Sequence, residues 1–268
     1  MLKDITLGQY FPGNSFIHRL DPRTKLVCTI IYIAALFVAK SYITYGALLL
    51  LLVLSVAVSK IRPSALFKGL KPLAFIIIFT AILNLFYIKG GKEIFTWWVF
   101  TLTTEGIKTA FFMVFRIMML ITGTFLLTYT TTPMALTDGL ELIMNPLKKL
   151  RVPVHEFSMM MSIALRFIPT LIEEADKISN AQKARGADFE TGKLTERAKA
   201  LLPLLVPLFV SAFRRADELA IAMESRCYHG GEGRTRMKKL SMRAADFVTI
   251  AAFIIFLAGI IVLARYSL

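Results

Sequence analysis

The chain has 268 residues, 56% of them hydrophobic, with a mean hydropathy of +0.63, whereas soluble domains are about 45–50% apolar. It carries 32 Lys and Arg against 18 Asp and Glu, a net charge of +14. The basic residues lie between apolar runs, so the composition favours a membrane protein with basic loops over a nucleic-acid-binding protein. Two cysteines outside any CxxC pattern and three histidines far apart in sequence indicate neither a disulfide framework nor a metal site.

Five apolar runs are long enough, or nearly so, to cross a bilayer as helices. They lie at residues 26–39, 42–59, 72–88, 107–130 and 247–264. The predicted fold class is therefore an all-α integral membrane protein with about five transmembrane helices. A sixth span stays open, because the apolar run 201–213 contains Pro203 and Pro207 and is short for a membrane crossing.

The distribution of basic residues predicts the orientation in the membrane. They concentrate before the first span, between the second and third spans, and after the fourth span. By the positive-inside rule, the N-terminus and the region 134–243 are cytoplasmic. We therefore predict an N-terminal membrane domain with four transmembrane helices (1–133), a cytoplasmic or interfacial helical domain (134–243) and a last transmembrane helix (244–268). The protein is expected in the cell membrane as a multi-pass protein.

Two long amphipathic helices are predicted in the cytoplasmic region. Residues 154–185 carry apolar side chains at helical spacing along one face. Pro169 predicts a kink or a break in that helix, and Gly186 is suited to end it. A second helical stretch runs from about residue 195 to residue 227.

The two helices share a pattern at their ends. Arg185 follows Asp176 by nine residues, and Arg226 follows Asp217 by the same interval. An Arg at a helix end presents a planar fork of donors that can bind carboxylates and carbonyls of a partner protein. It can equally be a cation that is stabilised at a helix C-terminus, and the pattern alone leaves both interpretations open.

Motifs for chemistry are missing from the sequence. Residues 186–193 read G-x5-G-K, but a phosphate-binding loop needs four intervening residues and a hydroxyl residue after the Lys. No hydrolase or metalloprotease motif appears either. We therefore expect no enzyme activity, no catalytic residue, no cofactor and no metal in this chain, and ATP would have to be bound by another subunit.

A charged residue within a span marks either a structural bond or a transport path. Arg116 lies near the middle of the fourth span, where it is expected to contact Asn84 or a carboxylate on the cytoplasmic helices, or to make a structural bond inside the bundle. A structural role is favoured, because Asn84, Lys108 and Arg116 are few for a polar path. A stand-alone secondary transporter is nevertheless the alternative function.

Three stretches resemble one known family. They are residues 10–25 (YFPGNSFIHRLDPRTK), residues 164–169 (ALRFIP) through 181–186 (AQKARG), and residues 214–220 (RRADELA) through 224–227 (ESRC). Together with the order of spans, they resemble the transmembrane coupling subunit, or T component, of energy-coupling factor (ECF) transporters, which are ABC-type importers. The resemblance covers nearly the whole chain.

The resemblance implies a site and a set of partners. In this family two Ala-Arg-Gly-like motifs end the cytoplasmic coupling helices, and each docks on one ATPase subunit. Ala184, Arg185 and Gly186 match that motif in full, whereas Ser225, Arg226 and Cys227 keep only its Arg.

The implied partners are two ABC ATPase subunits, which bind ATP and Mg²⁺, a substrate-binding S component and the lipid bilayer, without nucleic acid. The implied function is to couple ATP hydrolysis to reorientation of the S component, for uptake of a vitamin or a transition metal.

Overall fold

The computed structural model describes residues 10–88, 90, 93–97, 100–187, 194–230 and 240–266. These residues are predominantly helical. The elements in chain order are α1 (Phe16–Arg19), α2 (Pro22–Val38), α3 (Tyr42–Ser59), α4 (Pro63–Leu70), α5 (Ala74–Tyr87), β1 (Glu93–Trp97), β2 (Phe100–Thr103), α6 (Thr104–Thr130), α7 (Pro133–Met144), α8 (Val154–Ala184), α9 (Leu194–Glu224) and α10 (Ala244–Tyr266).

The chain forms two compact units. Of the described residues, 10–140 and 240–266 belong to the membrane unit, and those within Glu141–Lys239 belong to the insert unit. The insert unit therefore interrupts the membrane unit in sequence, and between residues 10 and 266 the chain passes between the units twice. The first passage lies within α7, and the second lies just before Leu240.

Four helices of the described chain are long and apolar enough to cross a membrane. They are Tyr42–Ser59, Pro63–Tyr87, Thr104–Thr130 and Ala244–Tyr266. The helix Pro63–Tyr87 combines α4, a short 3-10 turn and α5, so it begins nine residues before the predicted span. Large apolar side chains on these helices are exposed, as lipid-facing surfaces require. These features confirm the predicted all-α membrane class.

Helix α2 corresponds to the first predicted span, but it is not among the four candidate spans of the described chain. It has 17 residues, begins at Pro22 with Asp21 as its N-cap, and contacts α3, α6 and α10. Its side chains Tyr32, Ala35 and Leu36 are buried in the main apolar core of the membrane unit. A Cβ added at Gly123 of α6 would lie 2.8 Å from the Tyr32 ring, so the glycine permits close approach of α6 to α2.

The structure refines two local predictions about secondary structure. Of the kink or break predicted at Pro169, the break does not occur, since α8 continues as an α-helix to Ala184, and α9 likewise continues through Pro203 and Pro207. A proline removes one backbone hydrogen bond, and the remaining bonds of a 31-residue helix suffice to continue it. The segment after α5 forms an antiparallel hairpin, in which β1 pairs with β2, and the apolar pattern had not indicated any strand.

The insert unit is built around α8 and α9, which contact each other. Within α9, the apolar run that left a sixth span open does not make this helix one of the four candidate spans in the described chain. Several of its large side chains, such as Leu202, Phe209 and Phe213, are exposed. An apolar surface of this kind suits contact with lipid or with another protein.

Candidate functional site

The end of α8 carries the first predicted motif. Arg185 occupies the C-cap position, and Gly186 follows it with a φ of 88°. The Gly186 N–H donates to the Lys183 carbonyl and the Ala187 N–H donates to the Gln182 carbonyl, both at 3.0 Å. This pair of bonds defines a Schellman motif, which satisfies the last carbonyls of a helix and requires a left-handed residue after the cap.

The end of α9 has the same backbone geometry. The Cys227 N–H donates to the Glu224 carbonyl at 2.8 Å, and the Tyr228 N–H donates to the Met223 carbonyl at 3.0 Å. Cys227 has a φ of 56° and therefore takes the left-handed position that Gly186 takes in α8. Arg226 occupies the cap position, equivalent to Arg185. The sequence departure from Gly to Cys thus leaves the helix-ending motif unchanged.

The six predicted site residues are exposed at these two helix ends: Ala184, Arg185, Gly186, Ser225, Arg226 and Cys227. The Ser225 hydroxyl donates to the Ala222 carbonyl of its own helix at 3.0 Å. In each motif, therefore, the guanidinium of the Arg is the exposed group with the largest capacity to donate hydrogen bonds to a partner.

Helices α8 and α9 meet at a polar contact. The Arg215 Nη2 atom lies 2.8 Å from Glu174 Oε2. A hydrogen bond from Ser211, followed by the hydrogen bond and charge of Arg215, holds the pKa of the Glu174 carboxyl below its ordinary value. Sequence reasoning missed this contact because neither residue differs in type from the other charged residues of the two helices.

The position of this contact extends the sequence repeat. Glu174 precedes Arg185 by eleven residues, and Arg215 precedes Arg226 by eleven residues. At 1.5 Å per residue, each cap Arg lies about 16 Å along its helix from the contact. The two helices therefore have a contact at equivalent positions, and the segments from this contact to the two cap arginines, here called the arms, are equal in length.

The charged residue in the fourth span is bound within the membrane unit. Arg116 donates from Nε to the Tyr45 hydroxyl at 2.8 Å and from Nη2 to the carbonyl of Ala39, the C-cap of α2, at 3.3 Å. Asn84, an expected partner, instead donates to Thr80 of its own helix. These contacts agree with the structural role, since a cation at the C-terminus of α2 is favourably placed.

No group of three or more His, Cys, Asp or Glu side chains that could hold a metal ion occurs among the residues that the structure describes.

Comparison of the sequence with known proteins shows which family the chain belongs to. The family model CbiQ, described as cobalt transport protein, matches residues 13–237. The chain is also 51% identical over 263 residues to a protein of Ruminiclostridium cellulolyticum named energy-coupling factor transporter transmembrane protein EcfT, with 98% of each chain covered. The chain belongs to the EcfT family of transmembrane transporter components.

Two further EcfT proteins are similar to this chain over nearly its whole length. The protein of Thermosediminibacter oceani is 54% identical over 253 residues, or 94% of each chain. The protein of Bacillus subtilis is 48% identical over 258 residues, covering 96% of this chain and 97% of its own. Both helix ends and the four candidate spans therefore belong to a multi-pass membrane protein of the EcfT family.

Proposed function

We propose that this EcfT-family chain couples ATP hydrolysis by two partner ATPase subunits to reorientation of a substrate-binding S component in the membrane. The observation that carries the proposal is the pair of exposed arginines, Arg185 and Arg226, at the ends of two helices that meet at equivalent positions. Two equal arms suit a pair of related subunits, one for each arm. A guanidinium at each tip suits a groove that offers carboxylates or carbonyls.

The proposed mechanism is mechanical. ATP and Mg²⁺ bind to the ATPase subunits, so this chain needs no nucleotide site, cofactor or catalytic residue of its own. Movement of the two ATPase subunits displaces the arms, and the membrane unit transmits that displacement to the S component. The insert unit and the N-terminus lie in the cytoplasm of the cell, in accordance with the distribution of basic residues.

Substrate choice belongs to the S component in this proposal. Vitamins and transition metal ions are the proposed substrates, and the description of the matching family model names cobalt. Exposed apolar side chains of α9, such as Phe209 and Phe213, provide a surface for the S component or the surrounding lipid. This chain then acts on whichever substrate its S component binds.

The experiment that tests the proposal reverses the charges at the tips. The chain is co-expressed with the ATPase pair and an S component of the same genome, and complexes are purified from membranes. Variants are Arg185→Glu, Arg226→Glu and their combination, with Lys199→Glu, an exposed position of α9 outside both motifs, as the charge-matched control. Charge reversal against a groove that accepts a cation costs about 2 kcal/mol or more, so recovery of the ATPases should fall more than tenfold in the double variant.

The results separate docking from a passive helix end. Loss of the ATPases from a double variant that still accumulates in the membrane, with the control unaffected, supports docking at the arginines. A double variant that retains both ATPases and drives uptake at the wild-type rate would show that the arginines only end their helices.

A further inference from the structure

Three consecutive residues, Asp21, Pro22 and Arg23, contact both places where the chain passes between its two units. Asp21 is the N-cap of α2, and Pro22 and Arg23 are its first two residues. The first passage follows Leu140 in α7, and the second precedes Leu240. These contacts all lie within the membrane unit.

The first passage is held by backbone packing. A Cβ added at Gly139 would lie 3.0 Å from the Pro22 Cβ and 3.3 Å from the Arg23 nitrogen. The backbone of α7 therefore rests directly on Pro22 and Arg23, one residue before the last residue of the membrane unit. A side chain at this position would require one of the two segments to shift by a few tenths of an ångström.

The second passage is held by hydrogen bonds. The Arg23 Nη2 atom donates to the Leu240 carbonyl at 2.9 Å, and the same guanidinium binds the Asp21 carboxylate. The Asp21 N–H donates to Asp246 Oδ1 at 2.8 Å, and the Arg243 N–H donates to Asp246 Oδ2 at the same distance. Both the return of the chain and the first turn of α10 are thus bound to the start of α2.

The network is buried and its carboxylates are satisfied. Asp246 is 2% exposed and Asp21 is 7% exposed. Beside them, Lys25 donates from Nζ to the Thr130 carbonyl at the end of α6. Buried polar networks add less stability than apolar packing of the same volume, but they define one geometry because an unpaired buried charge is costly. A network of this kind therefore suits a role in holding the segment before α10 in one position against the start of α2.

We propose that Asp21, Pro22 and Arg23 anchor the end of the membrane unit in α7 and the segment before α10 to the start of α2, so that a displacement that reaches either segment is transferred to the core of the membrane unit instead of bending the chain there. The anchor lies at the start of α2, whose side chains occupy the core of the membrane unit. Displacement of either passage is therefore transferred to the helix that contacts α3, α6 and α10. This inference rests on the proposed coupling function and gives Arg23 a positioning role in it.

The test measures uptake per ATP hydrolysed. Complete complexes with the ATPase pair and an S component are reconstituted in liposomes, with radiolabelled B vitamins and cobalt(II) as probes, and the combination that gives ATP-dependent uptake with the wild type is used. Arg23→Ala should keep the ATPases and their hydrolysis rate but lower uptake per ATP by about fivefold. Arg23→Lys cannot bind Asp21 and Leu240 through one planar fork, so its uptake per ATP should lie between those of the wild type and Arg23→Ala.

Controls separate this inference from the proposed function. Arg265→Ala removes the same charge from an exposed position near the other end of α10 and should leave uptake per ATP unchanged. If the wild-type complex shows no ATP-dependent uptake with any probe, the proposed function fails. If the wild type transports and Arg23→Ala gives the same uptake per ATP, only the anchor is contradicted.

A covalent replacement of the anchor gives a second test that does not depend on the Arg23 variant. The pair Pro22→Cys and Gly139→Cys brings two Cβ positions to 3.0 Å, so a disulfide forms after a small shift. In the otherwise wild-type chain, oxidation should leave uptake per ATP unchanged, because the anchor stays closed during transport. In a chain that carries the cysteine pair together with Arg23→Ala, oxidation should restore uptake per ATP to the wild-type value.

Opposite results would overturn the anchor. They are inhibition of the otherwise wild-type chain on oxidation, or an oxidised Arg23→Ala chain that binds the ATPases yet stays uncoupled. Gly139→Cys alone under the same oxidant controls for the free cysteines Cys28 and Cys227.

Discussion

The ends of α8 and α9 differ in sequence but not in backbone. Both place an Arg at the cap and a left-handed residue after it, with the same two hydrogen bonds. In α8 that residue is Gly186, which has no Cβ and takes the conformation freely. In α9 it is Cys227, which takes it at a steric cost. The comparison shows that the helix ends preserve a geometry that presents the Arg, while the flanking side chains vary.

The comparison predicts that the two arginines contribute equally to docking. Replacing either Arg185 or Arg226 with Lys keeps the charge but removes the planar fork of donors. Loss of one charge-assisted hydrogen bond costs about 1.5 kcal/mol, so each single variant should bind the ATPase pair about tenfold more weakly. The measurement is the dissociation constant of the ATPase pair from the chain purified in detergent with its S component. A loss at one tip without a loss at the other would show that the two ends are not equivalent.

The second prediction concerns the residue after each cap. Gly186→Cys introduces a Cβ at a left-handed position and should destabilise the end of α8 by about 1 kcal/mol. Cys227→Gly should stabilise the end of α9 by about 0.5 kcal/mol, because relief of strain is partly offset by the greater freedom of glycine in the unfolded chain.

Hydrogen exchange of peptides that cover each helix end measures these changes locally. The two variants should shift protection in opposite directions, by up to about fivefold. Each unaltered helix end serves as the control for the other. If protection decreases in both variants, the Cys227 side chain makes a stabilising contact of its own that outweighs the strain of its left-handed conformation.

The predicted spans were most accurate where polar residues border an apolar run. The second span, 42–59, coincides with α3 (Tyr42–Ser59), which lies between Ser41 and Lys60. The first predicted span begins at residue 26, four residues after the start of α2 at Pro22. The apolar run alone does not include the Asp21-Pro22 pair, which is a characteristic helix start. The hairpin of β1 and β2 was missed because its strands are short and follow an apolar span.

The two helix ends were predictable from the sequence, whereas the contacts around them were not, and the docking role of the six residues stays a prediction. The repeated Asp-to-Arg interval and Gly186 indicated two helix ends with one Arg each. The left-handed Cys227 was not predictable, since cysteine has no preference for that conformation. The partners of Arg116 depend on how α2 and α3 pack against α6, and the Glu174–Arg215 pair depends on how α8 meets α9. Periodicity within one helix contains no information on either.

The smallest predicted effect is at the contact from which the two arms extend. Hydrogen bonds from Ser211 and Arg215 lower the pKa of Glu174 in the folded chain, so its carboxylate stabilises the contact above the ordinary carboxyl pKa. That contribution decreases as the pH falls through the lowered pKa, where the carboxyl takes up a proton. Glu174→Gln should therefore reduce protection of α8 and α9 at pH 7, by less than twofold because exposed pairs contribute little.

The same variant should match the wild type at a pH below the lowered pKa of Glu174, where the carboxyl is protonated in the folded chain as well. Hydrogen exchange corrected for the intrinsic rate at each pH measures this difference, and Glu173→Gln, the exposed neighbour, is the control. Exchanging the charges, as in Glu174→Arg with Arg215→Glu, should restore protection, because the two positions are equivalent in the repeat and the pair is re-formed with the opposite polarity. If the exchanged pair stays as weak as Glu174→Gln, the two helices do not meet as equivalent arms at this point.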